Sequence, residues 1–346
     1  MSLDNDLFAD AARQLLADQC TPQVVRAIEG GGRTAPATRQ LWEQLEATGL
    51  ADALLPEEDG GAGLGLSQVF GVLEQCGAHA LPLPLGETML ARALLAGAGV
   101  ARHTGAIALA TGERTEDGGL RCALVRGGRV AAQVLVQAGD GWHLLAVAGA
   151  QELPQALALD AALSWSPARL LAAPVVAVAQ GLDARQLQAA VIAPQMAGAL
   201  MSVFQRTLQY ANERQQFGRP IGKFQAIQHQ LAVMSEHVFA ARMAAQLGCS
   251  GAGIVPDRLR VATAKARCSE AALAVSELAH SIHGAIGFTA EYDLQLFTRR
   301  LHAWRQSAGS ESYWHDVAGS ALLEHQGLTL DMVRRITDVE PALLKP

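Results

Sequence analysis

Between Asp183 and Gly248 the apolar positions recur with helical spacing twice over. Leu187, Val191, Met196, Leu200, Phe204 and Leu208 form one stripe with polar residues opposite, which predicts a core-facing amphipathic helix. Asp183 stands where an N-cap belongs, and Gln186, three residues on, is placed to return the hydrogen bond in a variant capping box. Phe217-Gly218-Arg219-Pro220 ends the helix, because Gly218 tolerates positive φ while Pro220 lacks an amide proton and disfavours helix before it. A second stripe of Phe224, Ile227, Leu231, Met234, Val238 and Ala245 predicts another helix as far as Gly248. The short turn makes the pair antiparallel.

Two more helices are predicted downstream. Pro256-Asp257 starts one with the ridge Val261, Cys268, Ala272, Val275, Leu278 and Ile282, ending in His283-Gly284-Ala285-Ile286-Gly287-Phe288. Asp293 is placed to cap the next, LQLFTRRLHAWRQ, which runs out near Ala308-Gly309, and the tail from Glu311 to Pro346 adds helical turns. Upstream, LFADAARQLLADQ, APATRQLWEQLEATG, GLSQVFGVLEQCG and LGETMLARALLAGAG carry helical spacing as far as about Val100. Between Ala101 and Leu182 the pattern turns strand-like, with the short apolar runs AIALAT, RCALVRGG, RVAAQVLVQ and WHLLAVAG and a hairpin turn at Gly139-Asp140-Gly141. The fold class expected is mainly α. An N-terminal helical domain occupies 1–103, a small middle β domain 104–182 and an antiparallel four-helix bundle 183–346.

Composition narrows the picture. Of 346 residues half are apolar and the net charge is only −6, enough for a large core and without a basic patch that would recruit nucleic acid. Aromatic residues make up 5%, a profile of helical bundles rather than sandwiches. No apolar run reaches the roughly 20 residues of a membrane span, and the N-terminus is acidic, so a cytoplasmic protein is expected. The five cysteines are scattered without a CxxC pair and read as reduced, structural thiols. The glycine-dense stretch from Leu54 to Gly65 fails the GxGxxG pattern at Leu66. The ten histidines include no HExxH set, and no metal site is expected.

Three stretches carry a family resemblance: LPEEDGGAGLG in the first domain, NERQQFGRPIGKFQAIQHQLAVM in the bundle, and IHGAIGFTAEYDLQLFTRRLHA across helices three and four. With the order all-α, small β, four-helix bundle, the chain resembles the acyl-CoA dehydrogenase flavoproteins over nearly its full length. The resemblance implies FAD held in extended form, with a neighbouring subunit completing its site. Arg214 and Phe217 match the family's Arg-x-x-Phe-Gly, whose arginine faces the pyrophosphate and whose phenylalanine packs near the dinucleotide across the dimer interface. A guanidinium at a helix end offers several donors to phosphate oxygens, which suits that role. Gln216 occupies a position that also faces the cofactor. Gly284 and Gly287 match glycines that let backbone approach the adenosine half of FAD, while the family's usual glutamine falls on Ser281 and its second glycine on Ala285.

The implied reaction is α,β-desaturation of an acyl-CoA thioester, in which a glutamate takes the α-proton and the β-hydrogen leaves as hydride to flavin. Ungapped counting puts the usual glutamate position on Ala308, and the alternative base position of some relatives on Gln188. Glu311, three residues beyond, is the carboxylate that a small gap would bring in. The β domain is short, and Thr115-Glu116-Asp117-Gly118 keeps only a trace of the family's flavin-binding segment. In these respects the chain is similar to the smaller, base-deficient subunit of heteromeric bacterial acyl-CoA dehydrogenases, several of which act on steroid side-chain thioesters. Expected partners are therefore an acyl-CoA, a second acyl-CoA dehydrogenase-like subunit in a homo- or hetero-oligomer, and an electron-transfer acceptor. The alternatives are a non-catalytic structural partner with little flavin, or an active homo-oligomer using Glu311.

Overall fold

The computed structural model describes residues 3–139, 141–251 and 253–338, and helices dominate them. Five helices open the chain: α1 (Leu3–Gln19), α2 (Pro22–Gly31), α3 (Pro36–Ala47), α4 (Leu66–Ala78) and α5 (Leu85–Gly97). Both α2 and α3 begin on proline, where a missing amide costs nothing. The glycine-dense loop before α4 is folded on itself. Its Gly60, Gly61, Gly63 and Leu64 amides donate to the carbonyls of Glu57, Pro56, Leu55 and Ala53, which leaves them unavailable for a phosphate.

A β region follows, with β1 (Ile107–Thr111), β2 (Glu113–Arg114), β3 (Leu120–Val125), β4 (Gln133–Ala138), β5 (Gly141–Ala146), β6 (Gln151–Pro154) and β7 (Ala161–Trp165), then α6 (Pro167–Ala172) and β8 (Val175–Val176). One sheet has the order β1-β4-β5-β8 and the other β2-β3-β7-β6. β1 pairs parallel with β4, whereas β4 and β5 form the expected hairpin, Gln137 facing Trp142. Asp140, placed in that turn by sequence, lies outside the described residues. Alternation within β1 and β4 sorts the two faces. Ala108, Val134 and Val136 point to the inter-sheet core with Cys122 and Leu163, while Ile107, Leu109 and Leu135 join the main helical core. The first sheet is thus buried on both sides, which is why its strands read as unbroken apolar runs.

The bundle comprises α7 (Ala184–Glu213), α8 (Gln225–Gly248), α9 (Arg258–His283) and α10 (Leu294–Gln306), with α11 (Glu311–Glu324) and α12 (Thr329–Thr337) appended. Asp183 caps α7 by accepting from the Arg185 amide at 2.8 Å, but Gln186 does not return a bond. Its amide nitrogen reaches instead to the Pro256 carbonyl at 2.7 Å and ties the starts of α7 and α9 together. Asp293 likewise makes no capping bond to α10; it pairs with Arg26 of α2 at 2.7 Å. α7 is long and apolar enough to cross a membrane by length and composition, yet 78% of its apolar window is buried inside the protein. Pro194 sits within it, and the Ala190 carbonyl that loses its helical donor accepts from the Cys249 thiol at 3.5 Å.

α4 crosses α7 at backbone contact. A Cβ on Gly77 would fall 1.7 Å from the Gln195 carbonyl oxygen, and one on Gly198 would fall 1.8 Å from that of Glu74. The two glycines make the crossing possible and lock the N-terminal layer to the bundle. The turn between α7 and α8 is a two-residue hairpin, with β9 (Gln215–Gln216) paired to β10 (Arg219–Pro220). Both central residues are left-handed, Gly218 at φ 77° as expected and Phe217 at φ 53°.

Candidate functional site

At one end of the bundle the N-terminus of α7, the outer face of β3 and the α10–α11 connection enclose a cleft of about 690 Å³. Arg185 and Gln188 reach it from α7, Arg121 and Ala123 from β3, and Thr111 to Glu113 from the link between β1 and β2. Ser307-Ala308-Gly309-Ser310 forms the opposite rim with Tyr313, whose ring lies 4.7 Å beneath the Arg185 guanidinium carbon. Gln188 is buried and donates to the Leu109 carbonyl at 2.6 Å, so its amide fastens α7 to β1. Ala308 adopts φ 55° and Gly309 φ 94°, and the Ala308 carbonyl accepts from the indole of buried Trp314 at 2.9 Å.

Glu311 opens α11 but does not line this cleft. Its carboxylate pairs with Arg305, the Arg305 Nε donating to Oε2 at 3.0 Å. Partial burial would raise its pKa, but the Arg305 hydrogen bond and charge outweigh that and hold it below the ordinary carboxylate range. Glu113, on a two-residue edge strand, is the carboxylate that does line the cleft. Sequence reasoning missed it, since no helical or motif signal marks an exposed glutamate on so short a strand.

Behind the rim, two buried cations were also missed. Arg126 lines the cleft and, on its other side, a chamber of about 30 Å³ shared with Asp160, Gln195 and Trp304. Its guanidinium carbon stands 5.3 Å from the centre of the Trp304 ring. Asp160 is pushed up to about 6, chiefly by burial, although the Gly127 amide donates to it at 2.9 Å. Lys265 on α9 is completely buried. Its sequence signal was available: 265 continues the ridge of Val261, Cys268 and Ala272, which places a lysine on the core stripe.

The residues that sequence assigned to the cofactor lie elsewhere. Arg214, Gln216 and Phe217 occupy the hairpin beyond α7, all exposed, with Phe217 91% accessible. At about 1.5 Å per helical residue, Arg214 is roughly 39 Å along the axis from Gln188. Ser281 and Gly284 are exposed at the end of α9, where Gly284 has φ 63° with open space around it. Gly287 is closely packed, since a Cβ there would come 3.1 Å from His280 Nδ1. The Tyr210 ring stacks on that of His283 at 4.4 Å and joins the two groups at one end of the bundle. Arg214 has no carboxylate partner among the described residues. The structure therefore brings Arg214, Gln216, Phe217, Ser281, Gly284 and Gly287 together and sets Ala308 and Glu311 at the far end. No group of three potential metal ligands occurs among the described residues.

Comparison with known proteins matches this architecture throughout. The family model for the acyl-CoA dehydrogenase N-terminal domain covers residues 2–106 and that for the acyl-CoA dehydrogenase C-terminal domain residues 182–331. Acyl-CoA dehydrogenase IpdE2 of Mycolicibacterium smegmatis is 31% identical over 311 residues, covering 89% of this chain and 96% of its own. IpdE2 of Mycobacterium tuberculosis is 29% identical, over 88% of this chain and 92% of its own. Among solved structures, a variant of the Tcur3481-Tcur3483 steroid ACAD superposes with TM-score 0.77 at 27% identity, covering 92% of this chain and 98% of its own. The ChsE4-ChsE5 complex from Mycobacterium tuberculosis gives TM-score 0.80 at 21% identity, with 94% and 99% covered. The chain, with its two matched domains flanking a small β region, belongs to the acyl-CoA dehydrogenase family.

Proposed function

We propose that this chain is a base-deficient subunit of an FAD-dependent dehydrogenase that desaturates an acyl-CoA thioester, in an oligomer whose other subunit supplies the proton-abstracting glutamate. The observation that carries this reading is the cleft rim, where Ala308 presents a methyl group and Glu311 is turned into an ion pair with Arg305 outside the cleft. A base must reach the α-carbon within hydrogen-bonding range, and a methyl group on the rim and a carboxylate held by Arg305 outside the cleft both speak against a base from this chain at that rim.

The residues present fit FAD at the hairpin end. Arg214 is exposed and without a carboxylate partner among the described residues, as a pyrophosphate clamp requires. Phe217 is held out at positive φ with its edge against Phe224, ring centroids 6.1 Å apart, an apolar surface that a neighbouring chain or a flat ring would cover. Bound FAD supplies the acceptor for the hydride leaving the β-carbon. This chain's contribution is to bind and orient: Arg214, Gln216 and Phe217 toward the site of an adjoining subunit, with Ser281, Gly284 and Gly287 beside them. The separation of roughly 39 Å between hairpin and cleft supports an arrangement in which each end serves a different chain's chemistry. Reoxidation falls to a separate electron-transfer protein. The description of the Tcur3481-Tcur3483 structure as a steroid ACAD supports a steroid-derived acyl-CoA as substrate.

The test is to record the visible spectrum of the purified chain and of the chain co-expressed with a second acyl-CoA dehydrogenase subunit, each with an acyl-CoA series. Yellow complex that bleaches, with no bleaching by the chain alone, supports the proposal. Bleaching by the chain alone overturns it, and a colourless complex points to a structural partner instead.

A further inference from the structure

Gln188 lines the cleft with half of its amide unused. The residue is only 8% exposed, and its Nε2 donates to the Leu109 carbonyl at 2.6 Å. A carbonyl can only accept, so this bond fixes which end of the amide is nitrogen and turns the oxygen the other way. Flipping the amide would set two oxygens against each other. Oε1 receives no hydrogen bond from the described residues and is not one of their enclosed polar atoms, so it opens on the cleft that Gln188 lines. The other walls decide what kind of donor it can meet. Arg121, Arg126 and Arg185 face a single carboxylate, Glu113, among the described residues of the cleft, which disfavours a cationic donor. Ala123 and Leu124 of β3 and Ala308 on the rim add apolar wall. A neutral donor on an apolar body suits these surroundings, and a hydroxyl is such a group: its hydrogen goes to Oε1 and its oxygen still accepts from a guanidinium.

We propose that Gln188 is a specificity-determining residue: its Oε1 accepts a hydrogen bond from a hydroxyl on the acyl group of the ligand, and the cleft selects hydroxyacyl chains over their unhydroxylated analogues. This selection rests on the reading of the cleft as the place of the acyl group. At about 690 Å³ the cleft falls within the range of pockets that enclose a drug-sized ligand, so chain and hydroxyl fit inside together. Water satisfies an oxygen such as Oε1 while a cleft is open. A hydroxyl that displaces the water keeps the bond, whereas a methylene in its place leaves a desolvated acceptor unpaired. The penalty falls on the analogue, which is how a polar site rejects a ligand that lacks its hydroxyl. Gln188 needs no rearrangement to do this. The bond to Leu109 that fastens α7 to β1 also aims the oxygen before any ligand arrives.

The experiment is titration calorimetry of the full chain with hexanoyl-CoA, with its hydroxylated forms at each carbon from the third to the sixth, and with the methyl ether of the tightest of these. The amides of the CoA moiety are common to all, so the comparison isolates the acyl group. At least one alcohol is expected to bind roughly tenfold more tightly than hexanoyl-CoA, and its methyl ether, which has no hydrogen to give, no more tightly than hexanoyl-CoA. In Gln188→Leu the preference for the alcohol is expected to shrink to less than about twofold, whereas loss of a purely structural tie would weaken alcohol and hexanoyl-CoA alike and keep their ratio. A ratio that survives in the variant overturns the proposal. If the variant does not fold, the wild-type series decides. Equal binding of alcohols and hexanoyl-CoA, or an ether as tight as its alcohol, overturns the selection and leaves the acyl-CoA reading of the cleft standing. Binding of none of them removes that reading and the selection with it.

Discussion

Arg126 donates through Nε to Glu87 Oε1 at 2.6 Å, and both side chains are buried, the carboxylate completely. Gln195 Oε1 accepts from the same guanidinium at 2.9 Å, so α5, α7 and the β3–β4 connection meet on one charge. Removing one partner leaves the other charge alone in the core. Arg126→Met is expected to cost about 3–5 kcal/mol in urea unfolding, and the double variant with Glu87→Leu to recover most of that. Equal losses in the single and the double variant would show that packing, not charge pairing, matters at this point.

Glu311 and Glu113 are the carboxylates to challenge. In an active complex with a partner subunit, Glu311→Gln and Glu113→Gln are each expected to change turnover by less than about twofold, whereas loss of a true base costs 10²-fold or more, roughly. Collapse of turnover with flavin retained, in either variant, would assign the base to this chain. Ala308→Glu places a carboxylate on the rim itself and is expected to confer slow bleaching by acyl-CoA.

The hairpin variants separate binding from folding. Arg214→Ala and Phe217→Ala alter exposed side chains, so unfolding free energy is expected to move by no more than about 0.5 kcal/mol. Flavin content of the purified complex, read from its absorbance ratio, is expected to fall in both. Unchanged flavin in both would detach the hairpin from the cofactor.

Lys265 also makes stability depend on pH. Its folded pKa of about 7 lies below a lysine's ordinary 10.5, so between these values the unfolded chain binds more protons. Stability then rises with pH through that window, by up to about 1.4 kcal/mol per unit from this group, and its contribution is lost as pH falls toward 7. Lys265→Met is expected to flatten the rise. A wild-type slope that survives in the variant would place its source elsewhere.

Much of this was legible in the chain. The stripes of α7, α8 and α9 mark buried faces because a packed helix must hide one side, and Leu187, Met196, Met234 and Val275 are all buried. Caps were read less well. Asp183 behaves as a cap should, but Gln186 and Asp293 found stronger long-range partners in Pro256 and Arg26, which no local pattern reveals. β6 and β8 escaped because they are edge strands of four and two residues, too short to show an alternation. Of the site, the hairpin residues stood out through a long motif. Arg126 and Glu87 did not, because a charged letter in a sequence normally means water, and only the fold shows them in the core, whereas Lys265 was legible from the α9 ridge that it continues.

The five cysteines offer a clock. All are buried and free, and burial drives the Cys20, Cys122, Cys249 and Cys268 thiols up to about 12, with Cys76 higher still. An alkylating reagent therefore meets neither an accessible sulfur nor a thiolate in the native chain. Each modification must wait for a local opening: Cys76 for the N-terminal layer to part from α7, Cys122 for the two sheets to separate, Cys268 for the bundle itself to breathe. Counting labels against time at each position would rank the three regions by how readily they open, without a single substitution.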